Sequence, residues 1–131
     1  MDKKLLCQTA IEATDKSYSP YSGCKVGAAL LSKDGRIFTG CNIENASFSP
    51  TICAERTAFA KAVSEGVKEF TAIAIAAKKD DKLSVFTPCG VCRQVMSEFC
   101  GADFTILVVT DYDSFDEYTL KDMLPHSFVL E

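Results

Sequence analysis

The sequence has no surplus of positive charge. Lys and Arg number 14 against 18 Asp and Glu, a net charge of −4, with a pI near 5.0. Such a surface offers no basic face to neutralise a row of phosphates, which sets aside duplex nucleic acid and anionic membrane as partners. Long hydrophobic runs are missing too. The longest glycine-free apolar stretch runs only from Ala72 to Ala77, far short of the roughly 20 residues that cross a bilayer. Met1-Asp2-Lys3-Lys4-Leu5-Leu6 lacks the sustained apolar segment of a secretory signal, so a cytoplasmic location is expected. No internal repeat, low-complexity tract or long linker divides the chain, and histidine occurs once, at His126.

What is present is the composition of an ordinary soluble globular protein, 47% hydrophobic and 24% charged. The 131 residues make one domain's worth, so a single catalytic domain over 1–131 is expected. At this size folding hides roughly two-thirds of the chain's surface, enough for a core without disulfide staples. Disorder, collagen and coiled coil are excluded.

Hydrophobic spacing outlines the elements. Leu6, Ala10, Ala13 and Ser17 recur at steps of three and four, which predicts a helix over Lys3 to Ser17. Ser19-Pro20-Tyr21-Ser22-Gly23 breaks it. Val26 to Ser32 and Arg36 to Cys41, joined around Asp34-Gly35, read as an antiparallel hairpin. A polar loop, Asn42 to Thr51, leads to a helix over Cys53 to Glu65 that Gly66 stops. Phe70 to Ala77 and Phe104 to Thr110 are strands covered on both faces, with a helix over Cys89 to Cys100 between them. Thr119 to Leu124 is a short helix before the tail. Alternation of this kind builds a mixed sheet with helices on both faces.

Seven cysteines, at 7, 24, 41, 53, 89, 92 and 100, are the most informative feature. An odd number without a secretory signal points to buried or metal-binding thiols rather than a disulfide framework. Pro88-Cys89-Gly90-Val91-Cys92 has the two-residue gap that lets two thiolates hold one metal ion at a helix start. By itself the motif also fits a redox dithiol or plain packing. Cys53-Ala54-Glu55 opens a second helix 36 residues upstream. Helices on one side of a parallel unit bring their N-termini together, so three cysteines can meet with a fourth tetrahedral position open. That is the pattern of a catalytic zinc, whereas a structural zinc closes with four ligands. His126, in the tail beside Pro125, reads as a surface residue. Glu55, two residues past one ligand, is placed to exchange protons with a water at the open position; alone it would read as a first-turn glutamate favoured by the helix dipole.

These residues carry a resemblance. Cys53-Ala54-Glu55 with Pro88-Cys89-Gly90-Val91-Cys92 resembles the zinc deaminase signature in its all-cysteine form. More narrowly, the chain resembles the small homotetrameric cytidine deaminases. The likeness runs through Tyr18-Ser19-Pro20-Tyr21-Ser22, Val26-Gly27-Ala28-Ala29-Leu30, Gly40 to Ala46, Thr51 to Arg56 and Arg93-Gln94. It implies a three-layer α/β/α fold with a mixed sheet of four to five strands, and one Zn²⁺ per chain on Cys53, Cys89 and Cys92. It implies deamination of cytidine and 2′-deoxycytidine in pyrimidine salvage, with Glu55 shuttling protons. Asn42 and Glu44 would hydrogen-bond the sugar, the Ala54 main chain would meet the pyrimidine edge, and Arg56 would hydrogen-bond a ligand sulfur. Phe128 would lie over the base in a neighbouring subunit of the tetramer; on the residues alone it would close its own core. The chain departs from the family at Cys24, where phenylalanine is common and its ring lies against the base. A small packing residue and a thiol within reach of the metal are the two readings there. Cys7, Cys41 and Cys100 read as buried thiols. A deaminase of a cytosine-containing antibiotic such as blasticidin S, or a zinc-stabilised binding module, is the alternative.

Overall fold

The structure is a computed structural model that describes residues 1–130. Its elements are α1 (Lys3–Ala13, continued by a 3₁₀ turn, Thr14–Lys16), β1 (Cys24–Ser32), β2 (Ile37–Cys41), α2 (Ala54–Ser64), β3 (Phe70–Lys79), β4 (Lys82–Ser84), α3 (Gly90–Phe99), β5 (Thr105–Asp111), β6 (Ser114–Thr119) and α4 (Leu120–Met123). Side chains of a strand alternate between its two faces, and here both faces are apolar. Ile73 and Ile75 of β3 join Ala28, Leu30, Ile106 and Val108 in one core beneath α2, α3 and α4. Ala72, Ala74 and Ala76 of the same strand join Ala29, Leu107 and Val109 in a second core beneath α1. The result is the expected three layers, helix on sheet on helix.

The alanine face lets α1 lie close. A Cβ at Gly27 would stand 2.2 Å from the Ala10 carbonyl and 2.6 Å from the Thr14 amide, so only glycine fits. On the opposite face, a phenylalanine cluster fills the space beneath α2. The Phe59 ring stacks on Phe99 at 6.0 Å and meets Phe70 edge-on at 5.0 Å.

Strand order is β2-β1-β3-β5-β6, with β4 paired to β3. Among the described strands only β3 and β5 run parallel; every other strand pair is antiparallel. The sheet thus has six strands where the resemblance implies four to five. The two additional strands, β4 and β6, are short or strongly polar (Lys82-Leu83-Ser84; Ser114-Phe115-Asp116-Glu117-Tyr118-Thr119), so neither shows a hydrophobic alternation. A charged edge strand of this sort also blunts edge-to-edge association. Among the described residues no helix is long and apolar enough to cross a membrane.

Candidate active site

The chain enters β3 from α2 and leaves it towards α3. Both helices lie on the isoleucine face, so their N-termini gather at the carboxyl end of β3. Each begins on a cysteine: Cys53 is the N-cap of α2 and Cys89 that of α3, both with extended backbone. Cys92, one turn into α3, is fully buried, and its amide faces Cys89 Sγ at 3.5 Å. Unpaired amides in the first turn of each helix favour negative charge at this end of the sheet.

The three sulfurs lie within 4.8 Å of one another, and Cys53 Sγ is 3.8 Å from Cys89 Sγ. Thiolates about 2.3 Å from a tetrahedral zinc stand roughly 3.8 Å apart, so the site fits the ion. Cys24 is not a member of this cluster. Arg56 Nη2 donates to Cys53 Sγ at 3.2 Å. The Cys53 thiol is lowered to about 5 by its hydrogen bond with Cys92, with Arg56 and Cys89 adding to the effect. Its partner Cys92 is pushed up, by that same bond and by burial. All three ligands must be thiolates when metal is held, so metal binding releases whatever protons these sulfurs still carry.

Glu55, 4% exposed, has its carboxyl pushed up to about 7, first by burial and then by the nearby Cys53 charge. It lines an open cavity of about 340 Å³ together with Cys53, Cys89, Ala54, Asn42 and Glu44. The structure thus brings together nearly every site residue expected from the sequence, with Arg56 behind the sulfurs.

The loop carrying Asn42 and Glu44 is tied down by its backbone. Tyr18 N–H donates to Asn42 O at 3.0 Å, Glu44 N–H to Tyr18 O at 2.8 Å, and Ile43 exchanges two 3.0 Å bonds with Ile52. Asn42 Oδ1 accepts from Val26 N–H at 2.9 Å and from Ser17 Oγ, while Nδ2 donates to Cys24 O at 2.8 Å. One Nδ2 hydrogen remains for a ligand. Glu44 Oε1 accepts from the Tyr21 and Ser22 amides at 3.0 and 3.1 Å, and Oε2 from Ser22 Oγ. The Ser22 hydroxyl, followed by these amides, lowers its pKa, so Glu44 meets a ligand as an acceptor.

Phe128 is not part of this cavity. It lies over α3, where Gln94 Nε2 donates to its carbonyl at 3.2 Å, and it is 66% exposed, so it does not close its own core. Cys24 lines the cavity wall, half-buried. Of the thiols expected to be buried, only Cys7 is fully so, whereas Cys41 and Cys100 are half-buried. Cys41 lies on β2, an outer strand of the sheet, and its Sγ donates to Lys16 O at 3.3 Å. His126 is exposed, as expected. The sequence reading missed Val26, Ile75 and Phe86 as cavity-lining residues. For Phe86 the one available signal was a large apolar residue in an otherwise open connection.

Comparison with known proteins agrees with this geometry. Residues 1–108 match the model of the cytidine and deoxycytidylate deaminase zinc-binding region. A cytidine deaminase of Halalkalibacterium halodurans is 48% identical over 131 residues, covering 100% of this chain and 97% of that one. A blasticidin-S deaminase of Bacillus cereus is 32% identical over 120 residues, covering 86% and 84%. Among solved structures, the cytidine deaminase of Burkholderia pseudomallei superposes with a TM-score of 0.89 at 39% identity, covering 98% of this chain and 100% of that one. Sequence, fold and sulfur cluster agree over nearly the whole chain, which belongs to the cytidine and deoxycytidylate deaminase family.

Proposed function

We propose that the chain is a zinc-dependent cytidine deaminase that hydrolyses cytidine and 2′-deoxycytidine to uridine and 2′-deoxyuridine with release of ammonia. The observation that carries this reading is a buried carboxyl, Glu55, beside three convergent sulfurs on the wall of one cavity. Cys53, Cys89 and Cys92 hold the zinc, one ion per chain. When bound, zinc supplies Lewis acidity that makes water a nucleophile near neutral pH. Three thiolates would leave that centre with a net negative charge, and Arg56 draws charge back from Cys53.

Glu55 accepts one proton from the attacking water and delivers it to N3 of the pyrimidine as the oxygen adds to C4. It then takes the second proton from the hydroxyl now on C4 and hands it to the amino group, so that the C4–N bond breaks, ammonia leaves and the C4 carbonyl of uridine forms. Asn42 and Glu44 bind the sugar, and the Ala54 main chain meets the base edge. Two observations favour a ribose or deoxyribose nucleoside over the antibiotic blasticidin S: the free Nδ2 hydrogen of Asn42 and the ionised Glu44 line the same cavity as Glu55. A zinc-stabilised binding module explains neither Glu55 nor a three-membered cluster.

The chain works as one catalytic domain in the cytoplasm, in pyrimidine salvage. Support for a reducing location comes from Cys53 and Cys89, whose sulfurs are close enough for oxidation to threaten the metal site. Active sites are completed by neighbours in a homotetramer. Phe48 (85% exposed), Phe128 and Leu130 leave apolar surface to be covered. The test follows ultraviolet absorbance during incubation with cytidine, with metal analysis on the same sample. Conversion to uridine with about one zinc per chain is expected. A zinc-loaded protein that leaves cytidine unchanged, or that deaminates blasticidin S alone, overturns the reading.

A further inference from the structure

The cavity that holds Glu55 has a single aromatic side chain among its lining residues, Phe86. Its position follows from how β3 is paired. Along one edge β3 meets β1, with Cys24 opposite Lys79 and Val26 opposite Ala77. The same residues of β3 also meet β4, with Lys82 opposite Lys79 and Ser84 opposite Ala77. A strand has two edges, so β4 occupies the one that β1 does not. Cys24 and Val26 therefore wall the cavity on one flank, Ile75 of β3 lies between, and Phe86 rises on the other.

The segment that carries Phe86 is fixed at both ends. Upstream, β4 is turned back on β3 by Asp80 and Asp81, both in the left-handed region (φ 52° and 59°) as a tight hairpin requires. Downstream, Arg93 Nε donates to Pro88 O at 2.7 Å, and Arg93 Nη1 to Met123 O at 2.6 Å. A large apolar ring on the wall of this cavity, 38% exposed, belongs to neither core. It is placed to cover something flat and apolar-faced that enters from solvent.

We propose that Phe86 forms the aromatic wall of the base site, covering the pyrimidine from the flank opposite Cys24. This rests on the reading of the cavity as a cytidine site. The small Cys24 leaves its flank without a ring, and Phe86 supplies the aromatic surface from the other side of β3.

The experiment measures KM and kcat for cytidine in Phe86→Ala, Phe86→Leu and Phe86→Tyr, with zinc content and melting temperature recorded for each. Base–aromatic stacking predicts a rise in KM of roughly ten-fold for Phe86→Ala, with zinc retained and the smaller change in kcat. Phe86→Tyr should lie near wild type, and Phe86→Leu between Tyr and Ala. Adding Cys24→Phe to Phe86→Ala should recover most of the lost affinity, because a ring returns on the facing wall. A KM for Phe86→Ala within about two-fold of wild type overturns the assignment. So does full rescue by leucine, a loss seen only in kcat, or a loss that tracks zinc or melting temperature. If the wild-type protein itself leaves cytidine unchanged, the reading of the cavity fails instead.

Discussion

Glu55 is costly to bury as an anion, and its raised pKa is the response to that cost. The same environment keeps its carboxyl poised between taking and giving a proton near neutral pH, which is what a shuttle needs. Glutamine keeps the shape and removes the proton chemistry. Glu55→Gln should retain the fold and its zinc yet deaminate cytidine slower by at least ~10²–10⁴-fold, the usual range for general acid–base assistance. Near-normal turnover in a single-turnover assay would remove Glu55 from the mechanism. The sulfurs make a second prediction at this scale. Cys53→Ala should lose zinc and activity, because only two of the clustered sulfurs remain. Cys24→Ala should keep its zinc, because Cys24 stands outside the cluster. Metal analysis of the two purified variants separates these outcomes.

At the scale of elements, the site depends on how closely α2 approaches the sheet. A Cβ added at Gly40 of β2 would lie 2.3 Å from Ala54 O and 2.5 Å from Ala58 N, backbone atoms that no rotamer change can move. Gly40→Ala must therefore lift the start of α2, taking Cys53 and Glu55 away from Cys89 and Cys92. The expected cost is about 1–3 kcal/mol or more in denaturant unfolding, together with weaker zinc retention. Gly66, just past α2, is the control. It has φ 88° with open space around it, so Gly66→Ala should cost about 1–2 kcal/mol through backbone strain alone and leave zinc binding intact. Equal zinc loss in both variants would mean that general instability, not helix position, governs the site.

Across the whole molecule, zinc bound to Cys53, Cys89 and Cys92 cross-links the starts of two helices that reach the sheet from separate parts of the chain. Chelation should lower the melting temperature, and added zinc should restore it, since binding energy at such a site is also folding energy. A melting curve indifferent to chelator would contradict this. Quaternary structure gives the last prediction. Phe128 is exposed on α3 and stands apart from its own cavity, as a residue serving a neighbour would be. Mixing Phe128→Ala with Glu55→Ala chains under conditions of subunit exchange should raise activity above either variant alone. Some sites then pair an intact Glu55 with an intact Phe128. Verified exchange without a rise would confine Phe128 to its own chain.

The sequence by itself determined what depends on near neighbours along the chain. Apolar steps of three and four marked α1, α2 and α3, apolar runs marked β3 and β5, and glycines marked where helices end. The two-residue gap between Cys89 and Cys92 spans one helical turn, so that half of the metal site was readable without a fold. Joining Cys53 to it needed only the rule that helices flanking a parallel unit start at one end of the sheet. Tertiary structure decided the rest. Strands β4 and β6 have too few or too polar residues to announce themselves and exist because β3 and β5 offer an edge to pair with. Asn42 spends most of its amide on Ser17, Val26 and Cys24, a network set by where the loop lies rather than by its composition. Phe86 reaches the cavity because β3 is paired on both edges, and no local pattern encodes a contact that arises only once distant strands are side by side.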